Sequence, residues 1–387
     1  MDDTLHSGVR DEKPNETDTL VTGDLAAGDE TPAAGLEVIT RNADPAGGRA
    51  KGRGRVSIQD VAKLAKVSTA TVSRVINTPA MVSDATATRV QSAIDELNYR
   101  PNVMAKALMT RRSHVLGLTL PDIHGEFYMD VLQGADERAR ARGYHLMVST
   151  DRAVETAGGT RHANPSYGLI DGVAVMLTEP NPTFWAELAE NRVPTVALDA
   201  DPSLGAMDTV RIDNVPGSAE AMALLLESCA PSRCYFVGGP EGNYDSEERE
   251  GAFRRALCEA GHEDVRGEQV SNGTYTVEWG RRWAEDAASR GDLAGSAVFA
   301  ANDEIALGVM QMAHSMKLDV PGDVQIVGFD DTRLAEIVTP SLTTVGVPRR
   351  EFGAAAIDLL IRRIEEPAAD ITAVRLPTRL VLRGSTR

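Results

Sequence analysis

The sequence predicts two folds in one chain: a small all-α helix-turn-helix domain and an α/β body with two lobes. About 45 residues from Ser57 contain three short stretches of helical period, separated by breaks. From His114 onward, short apolar runs such as "VLGLTL" and "VQIVGFD" alternate with longer stretches of helical period. This alternation is typical of parallel sheets with helices on both faces, and about 275 residues favour two such lobes.

The charge is distributed unevenly along the 387 residues. The net charge is −17, but residues 1–45 carry −8, residues 46–112 carry +8, and the remaining body carries −17. A small basic segment joined to an acidic body is compatible with nucleic-acid binding by that segment alone.

The composition excludes several other classes of protein. Three cysteines (Cys229, Cys234 and Cys258) are too few for a disulfide framework and match no zinc spacing, so we expect free thiols and no bound metal. No apolar run approaches the ~20 residues of a membrane span, and the polar, acidic N-terminus does not resemble a secretory signal. We therefore expect a cytoplasmic protein.

Residues 1–54 are expected to form a disordered tail. They are rich in Asp, Glu, Thr, Gly, Ala and Pro and lack aromatic residues, so they cannot bury enough apolar surface to fold. The tail leads into "GGRAKGRGR", which we interpret as a solvated linker; an arm that adds non-specific phosphate contacts is the alternative.

The helical domain is expected at residues 55–101. Ser57, with Asp60 three residues later, predicts the start of the first helix, and Ser68 and Ser83 are expected to cap the next two. Pro101 stops the third helix. Residues 102–113 follow as a short helix and linker, in which Asn102 is a suitable cap.

The second helix, from Thr69, separates an apolar face from a polar one. Its inner face is expected to contain Val72, Val75 and Ile76. The residues that face outward are Thr69, Ala70, Ser73, Arg74 and Asn77. Such a surface suits a DNA groove, because hydroxyls and amides bond phosphates and an arginine reaches guanine O6 and N7. An ordinary amphipathic helix is the alternative.

The stretch "VSIQDVAKLAKVSTATVSRVINTPAMVSDATATRVQSAIDELNYRPNVMAKAL" resembles the DNA-binding domain of the LacI/GalR (lac repressor/galactose repressor) family. The resemblance continues in "RIDN", "AANDEIALG", "VPGDVQIVGFDD", "SLTTV" and "LPTRLVLR", and covers about residues 56–387. It implies a transcriptional regulator, expected to be a repressor, that binds palindromic operator DNA as a homodimer.

The resemblance also implies roles for single residues in DNA binding. Thr69, Ala70 and Arg74 match base-reading positions, and residues 102–109 match a hinge helix that folds on the operator. The positions that match phosphate contacts are Ser68, Thr71, Ser73 and Asn77. Leu108 matches a leucine that wedges into the minor groove; without the resemblance, it would be assigned to a core.

The resemblance further implies a periplasmic-binding-protein-like body at residues 114–387. Its two lobes close on a small effector, and the chain crosses between them three times. We expect the N-terminal lobe at about 114–228 and 347–375, and the C-terminal lobe at about 229–346 and 376–387.

A sugar is the expected effector. The positions that match effector contacts of the family are Phe127, Tyr128, Asn243, Asp245, Arg249, Tyr275 and Asp303. A guanidinium and a carboxylate can divide the donor and acceptor needs of vicinal hydroxyls. From the residues alone, Arg249 and Asp303 would form a surface ion pair, the aromatic residues would be core, and Asp303 could instead cap the helix that begins "EIALG".

Several positions depart from the family pattern. The chain has "HGEFY" where "SNPFF" is common, so that Gly125 replaces an asparagine. Ala200 stands where an arginine is usual, Val347 where a glutamine is usual, and "ETAGGTRHANPSYG" where a regular helix is usual. These changes leave a nucleobase or a phosphorylated metabolite, acting as corepressor, as alternative effectors.

Other classes of function find no support in the sequence. The chain lacks a Walker loop, a G-x-S-x-G elbow and H-E-x-x-H, so we expect neither enzymatic activity nor a cofactor. A sugar-binding protein for transport would need an export signal and would not carry residues 56–112.

Overall fold

The computed structural model describes residues 56–100, 112–121, 125–150, 169–177, 192–200 and 207–387, together with Trp185, Leu188 and Glu190. The chain divides into two compact units, with the division between Tyr99 and Arg100. The expected disordered tail, the expected hinge helix at 102–109 and the irregular stretch at 155–168 lie outside the described residues.

The first unit contains three helices. They are α1 (Ile58–Ala65), α2 (Thr69–Asn77) and α3 (Asp84–Glu96). The backbone N–H of Ser57 donates to the Asp60 carboxylate at 2.9 Å, and Lys66 ends α1 in the left-handed conformation with φ 53°. A short 3₁₀ turn, Pro79–Met81, lies between α2 and α3, where the sequence predicted only a loop. The buried core residues of this unit are Val61, Ala62, Ala65, Val72, Val75, Val90 and Ala93.

The second unit is built on two six-stranded sheets. The strands are β1 (Val115–Leu120), β2 (His145–Thr150), β3 (Gly172–Met176), β4 (Thr195–Leu198), β5 (Asp208–Asp213), β6 (Cys234–Gly238), β7 (Val270–Asn272), β8 (Ser296–Ala300), β9 (Val324–Asp330), β10 (Thr343–Gly346), β11 (Ala373–Pro377) and β12 (Arg379–Val381). The first sheet has the order β11-β5-β4-β3-β1-β2 and is parallel throughout. The second has the order β12-β10-β9-β8-β6-β7, with β12 antiparallel to β10.

Helices follow most of the strands of the body. They are α4 (Glu126–Ala141), α5 (Asn214–Ser228), α6 (Tyr244–Glu259), α7 (Val277–Ser289), α8 (Asp303–Ser315), α9 (Arg333–Ile337) and α10 (Arg349–Glu365). The chain passes from one sheet to the other after β5, after β10 and after β11. The central strands are buried along their whole length, as is usual for parallel sheets covered on both faces.

Helix α5 lies in a different lobe from the one the sequence predicted. We expected the N-terminal lobe to extend to residue 228, but Asn214–Ser228 packs on α6 and on strands β10 and β12 of the second sheet. The N-terminal lobe therefore ends at Asp213. Gly217 permits this packing: its backbone N–H donates to the hydroxyl oxygen of Thr378 at 3.1 Å. Strand β11 also extends two residues beyond the expected boundary, to Pro377.

Among the described residues, no helix has both the length and the apolar character needed to cross a bilayer.

The three cysteines are free thiols, with Cys234 buried and Cys258 exposed.

Replacing Gly217 with alanine should destabilise the body. A Cβ atom at this position would lie 2.3 Å from Val345 Cγ1 on β10 and 2.6 Å from Thr378 Oγ1, so α5 or these side chains would have to move. Overpacking of this kind costs about 1–3 kcal/mol, measurable as a lower free energy of unfolding in urea. Gly251→Ala is the matched control, because a Cβ on Gly251 of α6 meets nothing within 4 Å. Equal effects of the two substitutions would contradict this account.

Candidate functional site

The first candidate site is the polar surface of α2. Ser68 is the N-cap of this helix: its Oγ accepts from the Thr71 backbone N–H at 3.1 Å and lies 2.9 Å from the Thr71 hydroxyl. The buried side chains of Val72 and Val75 fix the rotation of the helix against the rest of the domain. The polar positions therefore face away from the core.

The structure brings most of the predicted DNA-binding residues to this surface. Ser68, Thr69, Ala70 and Arg74 are exposed, while Thr71 and Ser73 are half-buried. Asn77 is the last residue of α2. Asn102 and Leu108 lie outside the described residues. Thr69, Ala70 and Arg74 thus face outward as expected, whereas Ser73 is only half-exposed.

The second candidate site is a pocket of about 390 Å³ in the body. All seven residues that the sequence predicted for effector binding line it, and the volume suits one small molecule. The other lining residues are Pro121, Gly125, Glu126, Met176, Pro240, Thr274, Thr276, Asn302, Glu304, Asp330, Thr332 and Leu334.

The topology of the two sheets explains why these residues meet. Pro121 and Met176 stand at the carboxyl ends of strands β1 and β3 of the first sheet. Pro240, Asn302 and Asp330 stand at the carboxyl ends of β6, β8 and β9 of the second. Loops at these strand ends form the binding crevice of open α/β sheets, so residues far apart in sequence converge on one pocket.

Arg249 of α6 is the central cation of the pocket and is only 4% exposed. Its Nε donates to Asn214 Oδ1 at 2.9 Å, and its Nη1 donates to the Ala301 carbonyl at 2.6 Å. The guanidinium carbon also lies 3.7 Å from the centre of the Phe329 ring. The alternative of a surface ion pair with Asp303 is wrong, since both residues are buried and each has other partners.

Asp303 is tied to three neighbouring backbone and side-chain donors. Its Oδ2 accepts from the Thr332 backbone N–H at 2.7 Å and from the Thr332 hydroxyl at 2.9 Å, and its Oδ1 accepts from the Thr344 hydroxyl at 2.6 Å. The cap of α8 is not Asp303 but Asn302, whose Oδ1 accepts from the Ile305 N–H at 2.8 Å. Asp303 therefore links α8 to the strand ends of β9 and β10.

Asn243, Asp245 and Tyr275 form the rest of the second-lobe wall. Asn243 is the N-cap of α6 and also accepts a hydrogen bond from the Tyr275 hydroxyl at 2.8 Å. Asp245 is buried and accepts from Asn214 Nδ2 at 2.8 Å. Tyr275 is held so closely that a Cβ atom on Gly239 would lie 2.3 Å from its ring. These contacts hold the wall in one arrangement.

The first lobe supplies an aromatic pair and a carboxylate. Phe127 and Tyr128 are half-buried, with ring centres 5.3 Å apart in an edge-to-face arrangement. The Glu126 carboxylate accepts from the Arg333 backbone N–H of the second lobe at 2.6 Å. Gly125 has φ +83°, and a Cβ there would lie 2.9 Å from Glu304 Oε1. The lobes thus approach each other closely at this edge.

Two of the positions that depart from the family pattern are packed away from the pocket. Ala200 belongs to a small cluster with Val175, and Val347 belongs to the main core. Neither lines the pocket. The third, Gly125, does line it.

Burial raises the pKa of several carboxyl groups around Arg249. It raises the pKa of Asp199 and of Asp330 well above the usual value, and the neighbouring carboxylates Asp245 and Asp303 respectively add to these increases. Burial raises the pKa of Asp245 too, although Arg249 opposes the increase. Oδ2 of Asp199 has no hydrogen-bond partner among the described residues. The positive charge of one arginine only partly offsets these acids.

Sequence reasoning did not single out Asp330, Asn214, Asp199 or Glu126. Asp330 is the last residue of β9, and Asp303 lies three residues after the end of β8, so the place of Asp330 at a strand end was a usable signal. Asn214 stands in "RIDN", directly after β5. Asp199 directly follows β4 and carried the same signal. Glu126 showed no such pattern, because its importance comes from neighbours that only the tertiary fold supplies.

Comparison with known proteins agrees with both units. The family of bacterial regulatory proteins named lacI matches residues 57–102, and the periplasmic binding protein-like domain matches residues 232–386. Catabolite control protein A of Priestia megaterium is 32% identical over 332 residues, which cover 86% of this chain and 99% of that protein. The ribose operon repressor of Escherichia coli K12 is 32% identical over 330 residues, covering 85% and 99%. The solved complex of the transcriptional regulator CelR with cellobiose is 30% identical, covers 86% of this chain and 100% of that one, and superposes with a TM-score of 0.65.

Asp303 should make the stability of the body depend on pH. Burial raises the pKa of Asp303 to about 6 from 3.8, although hydrogen bonds from Thr344 and Thr332 oppose the increase. The folded state therefore binds more protons than the unfolded state between these values, so this carboxyl makes the protein less stable as the pH rises through that window.

The substitution Asp303→Asn removes this titration. Urea unfolding at several pH values should show wild type losing stability relative to the variant between about pH 4 and about pH 6. A stability difference that stays constant across this range would show that Asp303 does not titrate there.

Proposed function

Because the chain belongs to the lacI family of bacterial regulatory proteins, we propose that it is a repressor that binds a palindromic operator as a homodimer and responds to a small effector held between its lobes. The protein is a DNA-binding transcriptional regulator and not an enzyme. The observation that carries the proposal is that one chain contains both an exposed reading helix and a pocket lined by all seven predicted effector residues.

The DNA-binding part of the proposal rests on α2. Arg74 is exposed on this helix and can reach a guanine in bidentate fashion, while Thr69 and Ala70 are small enough to let the helix sit deep in the major groove. Ser68 and Thr71 present hydroxyls at the N-terminus of α2, where a phosphate is favoured. Asn77, Asn102, Ser73 and Leu108 keep the roles that the family resemblance implies.

The effector part of the proposal rests on the mixture of groups in the pocket. Rings of Phe127, Tyr128 and Tyr275 offer apolar faces, and the polar groups of Asn243 and Asp245 offer donors and acceptors. This combination suits a polyol with an apolar ring face, and the related ribose operon repressor and the cellobiose complex support a sugar. Effector binding would bias the relative position of the two lobes and so control operator affinity.

The homodimer follows from the size of the reading unit. One helix-turn-helix reads one half-site, so a palindromic operator requires two copies related by a two-fold axis. Sedimentation of the chain with a symmetric site should show two protomers for each duplex. A monomer that binds both half-sites as tightly would contradict the proposal.

Arg74→Ala should lower affinity for the preferred sequence and relax the choice of base at one position. The expected cost is about 1–3 kcal/mol, because a bidentate contact to a base is lost. The measurement is selection from a randomised duplex pool, followed by titration of the selected site and single-base variants. Arg89→Ala, which removes an exposed arginine from α3, is the charge-matched control and should leave sequence preference unchanged.

Thr71→Ala should instead weaken binding evenly across sequences, since it removes a hydroxyl expected to contact phosphate. If Arg74→Ala and Thr71→Ala gave the same loss on every sequence, the proposed division between base and phosphate contacts would be wrong.

A further inference from the structure

The described residues that line the interlobe pocket include more acidic than basic side chains. Five of them are carboxylates and one is a guanidinium, and no lysine is among them. The carboxylates are Glu126, Asp245, Asp303, Glu304 and Asp330, and the guanidinium is that of Arg249. A low-dielectric pocket of this kind favours a ligand that brings positive charge.

Arg249 cannot serve as a free anchor for an anionic ligand. Two of its nitrogens already donate to Asn214 and to the Ala301 carbonyl, and its face lies on the Phe329 ring. Its positive charge also opposes the increase in the pKa values of Asp245 and Asp330. Binding a phosphate here would place a further negative group beside these acids, next to a guanidinium that already donates to two protein groups.

Asp330 is an acid that the protein itself leaves without a hydrogen bond. It is 7% exposed and lines the pocket, yet no donor among the described residues contacts its carboxylate. The nearby Arg349 donates to the main-chain oxygen of Asp330 and pairs with Asp130 at 2.9 Å. The backbone of Asp330 has φ +107°, a conformation that non-glycine residues rarely adopt. The fold therefore holds a buried carboxylate at the pocket without satisfying it.

The remaining walls suit an organic cation rather than a metal ion. Phe127 and Tyr128 come from the first lobe and Tyr275 from the second, so ring faces lie on both sides of the pocket. Ring faces and carboxylates together bind ammonium groups. Glu126 also stands in the first lobe, across from Asp330 in the second, so lobe closure would bring carboxylates to the ligand from both sides.

We propose that the effector of this pocket is a polyhydroxylated ring that carries a protonated amine, such as an amino sugar. Phosphorylated and carboxylated compounds are rejected by the same carboxylates. This inference rests on the proposed function, because it specifies the ligand of the effector pocket.

The experiment is calorimetric titration of the full-length chain at neutral pH with three sets of sugars. Each set contains an amino hexose, the parent hexose and the hexose 6-phosphate, built on glucose, galactose and mannose. In at least one set, the amino hexose should bind about tenfold or more tightly than the parent, and the phosphate should not bind. Failure of all three amino hexoses to bind at millimolar concentration would overturn the inference, as would the lack of any set in which the amino hexose binds about tenfold more tightly than its parent and its phosphate.

Variants identify the groups that select the charge. Asp330→Asn and Glu126→Gln should each reduce the preference for the amino hexose over its parent by about tenfold, because each removes one carboxylate and keeps the shape. Glu285→Gln, which removes an exposed acid of α7 outside the pocket, should change the preference less than about twofold. An unchanged preference in both pocket variants would contradict the assignment. If Asp330→Asn lowers the melting temperature of the protein relative to wild type, the preference of Glu126→Gln decides the test.

The same ligands, tested on operator binding, separate this inference from the proposed function. If an amino hexose binds as expected but no sugar changes operator affinity, the charge preference stands and the proposed regulation fails. If a neutral or phosphorylated hexose changes operator affinity and the amino hexose does not, regulation stands and the charge preference is wrong.

Discussion

The buried guanidinium of Arg249 holds the polar interior of the body together. It reaches Asn214 at the first crossing between lobes, the Ala301 carbonyl at the end of β8, and the Phe329 ring on β9. Its charge opposes those of Asp245 and Asp330, both of which are buried. Burial raises the pKa values of these acids, and the charge of Arg249 only partly opposes the increase.

The excess of buried acids over cations connects the structure of the pocket to its proposed use. A protein that needed only a rigid cleft could have placed apolar side chains at the strand ends, because unpaired buried charges are costly. Here the lobes instead present acids from both sides, with Glu126 bound to the start of α9 and Gly125 leaving room for Glu304. The departure of "HGEFY" from the family pattern thus has a structural counterpart: it adds a carboxylate and removes a side chain at one edge of the pocket.

The two units depend on different kinds of information. The helical domain is specified locally: Ser57 and Ser68 begin helices, Lys66 ends one, and Val72 and Val75 turn α2 toward the core. The polar face of α2 could therefore be derived from spacing alone. The body depends on contacts between distant segments, such as the crossing at Asp213 and the return of the chain through β11 and β12.

The sequence by itself determined the class of each fold, the face of α2 and, through the family resemblance, the seven residues of the pocket. It did so because helix period, capping residues and apolar runs are local patterns. Long motifs shared with a family also show which position of this chain corresponds to which position of the family. Only the tertiary structure decided that α5 belongs to the second lobe, that Asn302 and not Asp303 caps α8, and that the buried Asp330 side chain receives no hydrogen bond from the described residues. These properties depend on which atoms surround a side chain, and those atoms come from strands that are distant in sequence and meet only when the two sheets fold.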